Sequence, residues 1–208
     1  ANGEGGPSTL SVSFTFNEAM DTDTIPTVSF APKVQSTLTN PGGAWLDDGK
    51  TYKFEATVAD AGIDVDEVTI DITGAKDAAG NLQVDHTASV GLEIDTLNPT
   101  AKYSSVIKDQ NKDGTKDVSS DADTIVAYTV DFSEPVSGIG GGDINVEGGT
   151  VVPGTVHLSD DGLQATFEVQ ASDDSMTDLV VTVMDSVTDL HGNALVVSSS
   201  DPVTVDTV

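Results

Sequence analysis

The chain contains no cysteine and no arginine, and only 8 basic residues stand against 35 acidic ones. The lack of cysteine excludes disulfide bonds and thiolate chemistry, so a secreted protein of this composition needs another means of stabilisation. A formal net charge of −27 excludes nucleic acid and anionic membrane surfaces as partners, because both bind basic patches. No apolar run approaches the roughly 20 residues that span a bilayer, so direct membrane insertion is not expected. Cations are the partners that this charge favours.

Sequence signatures of catalysis are also missing. The three histidines, His86, His157 and His191, are scattered and lack the His-Glu-x-x-His spacing of a zinc hydrolase. The Gly-rich segment 138–143 is not followed by the helix and lysine of a phosphate-binding loop. The sequence therefore predicts that the chain is not an enzyme.

Short alternating runs of Val, Thr, Ile and Phe recur between clusters of Gly, Asp, Asn and Pro, and helical periodicity is nearly absent. This pattern predicts an all-β fold. At 208 residues the chain has room for two domains of about 100 residues, the size of an immunoglobulin-like (Ig-like) sandwich.

Four segments occur twice in the same order, at offsets of 111 to 116 residues. They are 10–16 with 126–132, 46–49 with 159–162, 77–81 with 189–193, and 94–96 with 205–207. A repeat of this period predicts tandem domains, with boundaries at 1–96 and 97–208. The second copy also contains the stretch from Thr100 to Asp123, expected to hold an opening strand and a loop, which the first copy lacks or replaces with its Gly-rich start.

The segment 109–121 has the ligand spacing of a calcium loop. Oxygen ligands stand at its positions 1, 3, 5 and 9, a glycine stands at position 6, and Thr115 offers its backbone carbonyl at position 7. Position 12 is Ser120 rather than glutamate, so the loop is not an EF-hand, and Asp121 or Asp123 is expected to complete the shell. The alternative interpretation is a solvated turn. The side-chain ligands predicted are Asp109, Asn111, Asp113 and Asp117.

Three further motifs resemble the bacterial Ig-like repeats of giant adhesins of the RTX and biofilm type. They are Phe132-Ser133-Glu134-Pro135-Val136, the loop Asp189–Asn193, and Ile94-Asp95-Thr96-Leu97-Asn98-Pro99. The resemblance implies two tandem Ig-like Greek-key β-sandwich domains joined by a short linker. It also implies an extracellular or bacterial cell-surface location, neighbouring repeats of the same chain as partners, and calcium between the units. The first copy departs from the pattern at 17–20, where the proline is absent.

The topology of an Ig-like sandwich predicts a second class of calcium site. The loop after the second strand and the loop before the last strand lie where the chain enters such a domain. Carboxylates from both loops are therefore expected to meet the incoming linker and share a calcium ion. The predicted ligands are Asp95, Asn98, Glu134, Asp189 and Asn193 at the junction, Glu18, Asp77 and Asn81 in a half-site of the first domain, and Asp206 in a half-site facing downstream. The alternative is that each Asp-x-x-Gly-Asn segment is simply a β-turn.

We expect a monomeric, calcium-stabilised extender, or spacer, from a large secreted or cell-surface adhesin. The chain begins with neither an initiator methionine nor a signal peptide, so it is expected to be a piece of a longer protein. Two alternatives are a carbohydrate- or protein-binding module and an accessory region of a secreted polysaccharide-degrading enzyme. Trp45 and Tyr103 are the aromatic residues that a sugar-binding module would use, whereas packing is their structural alternative.

Overall fold

The computed structural model describes residues 8–84, 87–108, 118–119 and 124–208, and within these ranges the side chains of 87–90 and 119 are not described. The chain forms two compact units, Ala1–Leu97 and Asn98–Val208. Apart from one 3-10 turn at Gly141–Asp143, the regular elements of the described ranges are β-strands, which confirms the all-β prediction. Within the same ranges, no helix has the length and apolar character needed to cross a membrane.

Unit 1 consists of two antiparallel three-stranded sheets. Their strands are β1 (Thr9–Thr15), β2 (Thr27–Ala31), β3 (Leu38–Trp45), β4 (Thr51–Val58), β5 (Asp64–Thr73) and β6 (Thr87–Asp95). One sheet has the order β1-β4-β3 and the other has the order β2-β5-β6. Strands β1 and β2 form because their residues alternate, so that every second side chain points into the space between the sheets, whereas β3 lacks this alternation.

The core of unit 1 lies between its two sheets. Tyr52, Phe54 and Ala56 project from β4, and they meet apolar side chains of β2, β5 and β6. Phe30 and Phe54 join the sheets directly, with ring centroids 5.7 Å apart. The opposing side chains are Phe30, Val68, Ile70, Ile72 and Ile94.

Unit 2 has more strands and a larger core. Its strands are β7 (Ala101–Ile107), β8 (Val118–Ser119), β9 (Ile125–Phe132), β10 (Ile144–Glu147), β11 (Gly149–Val151), β12 (His157–Leu158), β13 (Gln164–Ala171), β14 (Val180–Val183), β15 (Ser198–Ser199) and β16 (Val205–Asp206). One sheet has the order β11-β13-β9-β7, with β12 also on β13, and another has the order β10-β14-β15. Strand β16 pairs in parallel with β8.

Stacked aromatic rings and valines from both sheets fill the unit 2 core. Tyr128 of β9 stacks on Phe167 of β13 at 5.7 Å with an interplanar angle of 9°. Leu179, Val181 and Val183 face them from the other side, and all are fully buried. Since burial of such a side chain contributes about 1.5–3 kcal/mol, this layer provides much of the stabilisation of unit 2.

The two units share an arrangement of strands and differ at one edge. In unit 1, β1 pairs with β4 and β2 with β5. In unit 2, β9 pairs with β13 and β10 with β14, as in the sequence repeat. Strand β9 carries β7 on its other side, whereas β1 is an edge strand in the part of unit 1 that the structure describes.

Candidate functional site

The Asp77 loop of unit 1 is closed by its own carboxylate. Asp77 Oδ1 accepts hydrogen bonds from the backbone N–H groups of Ala79 and Asn81, both at 2.8 Å, and Asn81 Nδ2 donates to Asp77 Oδ2 at 2.7 Å. Gly80 has φ +88°, a left-handed conformation that glycine adopts without strain. The amide of Asn81 is the strongest influence among the hydrogen bonds that lower the pKa of Asp77.

The Asp189 loop of unit 2 repeats this geometry in a buried setting. Asp189 Oδ1 accepts from the N–H groups of His191 at 2.7 Å and Asn193 at 2.8 Å, and Asn193 Nδ2 donates to Asp189 Oδ2 at 2.7 Å. Gly192 again has φ +88°. Asp189 is 2% exposed and Asn193 is 0% exposed, whereas Asn81 is exposed. The same motif therefore forms one internally bonded turn in both units.

Each loop is tied to the same two neighbouring segments. Met20 forms a bridge with Asp77 and donates its N–H to Gly49 O at 2.8 Å. Val136 forms the corresponding bridge with Asp189 and donates to Gly162 O at 3.0 Å. Three segments matched by the sequence repeat therefore meet in each unit.

The threonines of the closing Asp-Thr motifs have a structural role that the sequence pattern did not indicate. Thr96 is 1% exposed, and its Oγ1 accepts from the N–H groups of Ala61 at 3.3 Å and Ile63 at 3.1 Å. Thr207 is 3% exposed, and its Oγ1 accepts from Ser175 N at 2.9 Å and donates to Ser172 O at 2.8 Å. Each threonine connects the last strand of its unit to a loop by hydrogen bonds. In the sequence, the recurrence of threonine after Asp95 and Asp206 was the only indication that these residues have a structural role.

The predicted half-site of unit 1 lies around one cavity. Glu18, Asp77 and Asn81 all line a cavity of about 550 Å³, whose other walls combine apolar side chains with Ser13, Thr15, Asn17 and Gln83. The apolar side chains in this wall are Phe14, Phe16, Met20, Ile72, Leu82 and Val84.

The predicted junction residues of unit 2 lie at the end where the chain enters it. Ser133, next to Glu134, donates its N–H to Thr100 O at 2.9 Å, and Thr100 N donates to Ser133 Oγ at 2.9 Å. The Val136–Asp189 bridge brings the Asp189 loop to the same end. The linker, the Glu134 turn and the Asp189 loop are thus neighbours within this unit.

The remaining predicted ligands belong to other segments of the chain or lie outside the described residues. Asn98 is half-buried beside the unit 2 residue Pro99, and Asp206 is an exposed residue of β16. Asp95 ends β6 of unit 1, and its Oδ1 accepts from Leu97 N at 2.9 Å. The predicted loop ligands lie outside the described residues: Asp109, Asn111, Asp113, Thr115, Asp117 and Asp121.

A further acidic cluster lies on the β5–β6 pair of unit 1. Asp64, Asp66 and Glu93 are exposed, and each offers one carboxylate oxygen within 4.8 Å of the others. The sequence Asp-x-Asp places two carboxylates on one face of a strand, so these two members of the cluster could have been predicted. The glutamate comes from the neighbouring strand, and its position follows only from the register of the sheet.

The two candidate sugar-binding aromatic residues take part in packing. Trp45 lies 5.5 Å from Phe16 and 5.3 Å from Tyr52 between ring centroids, and its Nε1 donates to Thr24 O at 2.9 Å. Tyr103 Oη accepts from Val183 N at 3.0 Å and donates to Ser198 O at 2.7 Å. Both are half-buried, which agrees with the structural alternative.

Comparison with known proteins gives the family. Residues 96–205, more than half of the chain, match the model of a bacterial Ig-like domain. Among solved structures, the adhesin InvE of Yersinia pseudotuberculosis is similar, with 12% identity and a TM-score of 0.31 over 96% of this chain and 55% of the adhesin. No curated protein matches significantly. The chain belongs to the bacterial Ig-like domain family.

Proposed function

We propose that this chain is a non-enzymatic spacer from an extracellular, surface-attached bacterial protein, built from two tandem Ig-like domains of Greek-key type. The observation that carries the proposal is the loop network shared by the two units. In both, an Asp-x-x-Gly-Asn turn, an acidic turn and the segment after the first repeated strand meet through the same backbone bonds. A module repeated with its loop connections intact is typical of a chain that serves as an array of equivalent units.

The assignment to an adhesin rests on sequence motifs and on the bacterial Ig-like family. The motif Phe132-Ser133-Glu134-Pro135-Val136 and the closing Asp-Thr motif resemble those of adhesin extender repeats. A spacer also agrees with the packing of Trp45 and Tyr103, because neither residue forms an exposed aromatic platform.

The second part of the proposal is that calcium stiffens the array. The ligand spacing of the loop 109–117 supports it, as does the need for a cation where several carboxylates are predicted to meet. Extracellular modules bind calcium with dissociation constants of about 0.1–1 mM. Calcium at about 10 mM, 100 times the tighter of these constants, would add about 2.7 kcal/mol to the free energy of unfolding.

Calorimetric melting in millimolar calcium, in magnesium and in chelator tests the calcium part. We expect calcium alone to raise a melting transition by on the order of 10 °C. Solution scattering on the same samples should show that calcium narrows the spread of distances between the units. If neither quantity changes, the calcium part is wrong.

Matched variants separate the two predicted sites. Asp113→Asn removes a ligand from the loop, and Glu134→Gln removes one from the junction while keeping the Asp189 carboxylate. Asp160→Asn is the control, because it makes the same charge change in an exposed turn of unit 2. We expect the loop variant to reduce the calcium-dependent melting shift and the junction variant to reduce the change in scattering, while the control retains both.

A further inference from the structure

Strand β1 of unit 1 presents a regular row of backbone groups along its outer edge. The bonds that flank its pairing with β4 run from Phe16 N to Lys50 O at 2.9 Å and from Val58 N to Ser8 O at 2.7 Å. Even-numbered residues therefore bond to β4, and the N–H and C=O groups of Thr9, Ser11, Ser13 and Thr15 face the other side. No strand pairs with that side among the described residues.

The same edge is covered in unit 2. Strand β7 pairs with β9 over seven residues, from Ala101 opposite Phe132 to Ile107 opposite Val126. Because β9 is the repeat equivalent of β1, unit 2 shows what this edge accepts: an antiparallel strand of seven residues. The inward residues of β9, Val126, Tyr128 and Val130, are at most 1% exposed. Their equivalents in β1 are only half-buried.

The cavity of about 550 Å³ lies beside this open edge. Ser13, Phe14, Thr15 and Phe16 form one of its walls. In unit 2 the position opposite Val130, the equivalent of Phe14, is taken by Tyr103. That tyrosine reaches across to Val183 N of the second sheet, and the equivalent Ile72 lines the cavity in unit 1. The cavity thus corresponds to the place of the β7 tyrosine.

The described strands leave this edge unfilled. Strands β2 to β6 pair within unit 1, and β7 to β16 belong to unit 2. Within the described residues, the edge therefore remains available to a strand of the β7 type.

Charge indicates the chemistry of that strand. Lys108, just after β7, forms an ion pair with Glu168 of β13. The repeat equivalent of Glu168 is Glu55 of β4, which is exposed and forms an ion pair with Lys53 of the same strand at 2.7 Å. A chain with a net charge of −27 favours an incoming strand with lysine at its ends.

We propose that the outer edge of β1 and the adjoining cavity bind an extended polypeptide strand that the described residues do not supply. The bound strand is antiparallel to β1, carries an inward-facing aromatic residue near its start that enters the cavity, and has lysines near its ends. Its backbone hydrogen bonds to β1 provide the affinity, and its aromatic residue fixes the register of the bound strand on β1, as in other forms of strand addition. None of the predicted loop or junction ligands takes part, whereas Glu18, Asp77 and Asn81 of the predicted unit 1 half-site line the same cavity.

A peptide with the sequence of residues 100–108 is the probe, and the full chain is the receptor. Trp45 is the only tryptophan and lies in unit 1 against Phe16, so its fluorescence reports binding at this unit. We expect saturable binding of the labelled peptide by anisotropy, a change in Trp45 emission, and a higher melting temperature for unit 1. Substituting alanine for the peptide tyrosine should weaken binding at least about tenfold, because it removes the group that enters the cavity.

Variants of Ser13 test the edge itself. Ser13→Pro removes an N–H that faces outward, a change that edge strands tolerate, and should weaken binding at least about tenfold. Ser13→Thr is the control, since threonine occupies the equivalent position, Thr129, in unit 2. Both peptides are also compared on the unaltered chain, so a folding defect in Ser13→Pro does not decide the outcome.

Two results would overturn the proposal. One is an absence of saturable binding by the peptide at millimolar concentration. The other is a dimer of the chain alone that Ser13→Pro converts to monomer, because the occupant of the edge would then be a second copy. A calcium response without peptide binding would leave the spacer proposal standing and reject this one.

Discussion

Removal of the Asp189 carboxylate should destabilise unit 2 far more than the equivalent change destabilises unit 1. Asp189→Ala deletes the acceptor of three hydrogen bonds, two of them from Asn193, which is fully buried. Asp77→Ala deletes three bonds of the same lengths to within 0.1 Å, but its partners are exposed and water can replace the carboxylate. The two substitutions therefore differ mainly in the burial of the donors that lose their acceptor, and this burial should determine the difference in stability.

The magnitude follows from the cost of unsatisfied donors. Each buried donor that loses its partner costs about 1–3 kcal/mol, so Asp189→Ala should cost about 3 kcal/mol or more. Exposed donors return to water, so Asp77→Ala should cost about 1 kcal/mol. For units of this size, the expected decreases in melting temperature are more than 10 °C for the first change and about 5 °C for the second.

Calorimetry in chelator measures both decreases without a contribution from bound cations. Trp45 fluorescence identifies the transition of unit 1, because the only tryptophan lies there. Equal decreases in the two units, or a larger one for Asp77→Ala, would refute the reasoning that burial determines the strength of this turn.

Two other changes test the acidic turns and the closing threonine. Hydrogen bonds, first from the backbone of Lys50, hold the pKa of Asp48 below its usual 3.8, so its stabilisation exists above that pH and is lost as the pH falls through the folded-state value. The difference in melting temperature between the unaltered chain and Asp48→Asn should therefore be present at pH 6 and decrease as the pH falls below 3.8; a constant difference would exclude this titration. Thr207→Val should destabilise unit 2 by about 2 kcal/mol in urea unfolding, while Thr207→Ser, which keeps the hydroxyl, should recover most of the loss. If serine does not recover the loss, the methyl group of Thr207 rather than its hydroxyl stabilises unit 2.

The long strands could be predicted from sequence because burial of one face imposes an alternation that the residues display. Leu10, Val12, Phe14 and Phe16 indicated β1, and the same signal indicated β9. Short strands such as β12 and β15, each of two residues, could not be predicted. Their existence depends on backbone pairing with β13 and β14 rather than on any local pattern.

For the candidate site, prediction from the sequence was limited in a different way. The sequence located Asp77 and Asp189 in turns, but the same residues suit both a cation and an internal bond to the backbone. The structure shows the internal bonds, so the turn interpretation describes the geometry, and the metal assignments stay predictions. The anchoring hydroxyls of Thr96 and Thr207 could not be predicted, because their partners lie 32 to 35 residues away in sequence.

The closing threonines also decide how a unit responds to a pulling force. Tension applied where the chain leaves unit 2 reaches Thr207 before it reaches the core. The hydroxyl connects the last strand to Ser172 and Ser175, and β16 lies parallel to β8, so the load is divided between a loop and a strand pair. Bonds loaded together must break together, so the buried hydroxyl resists extension as well as heat.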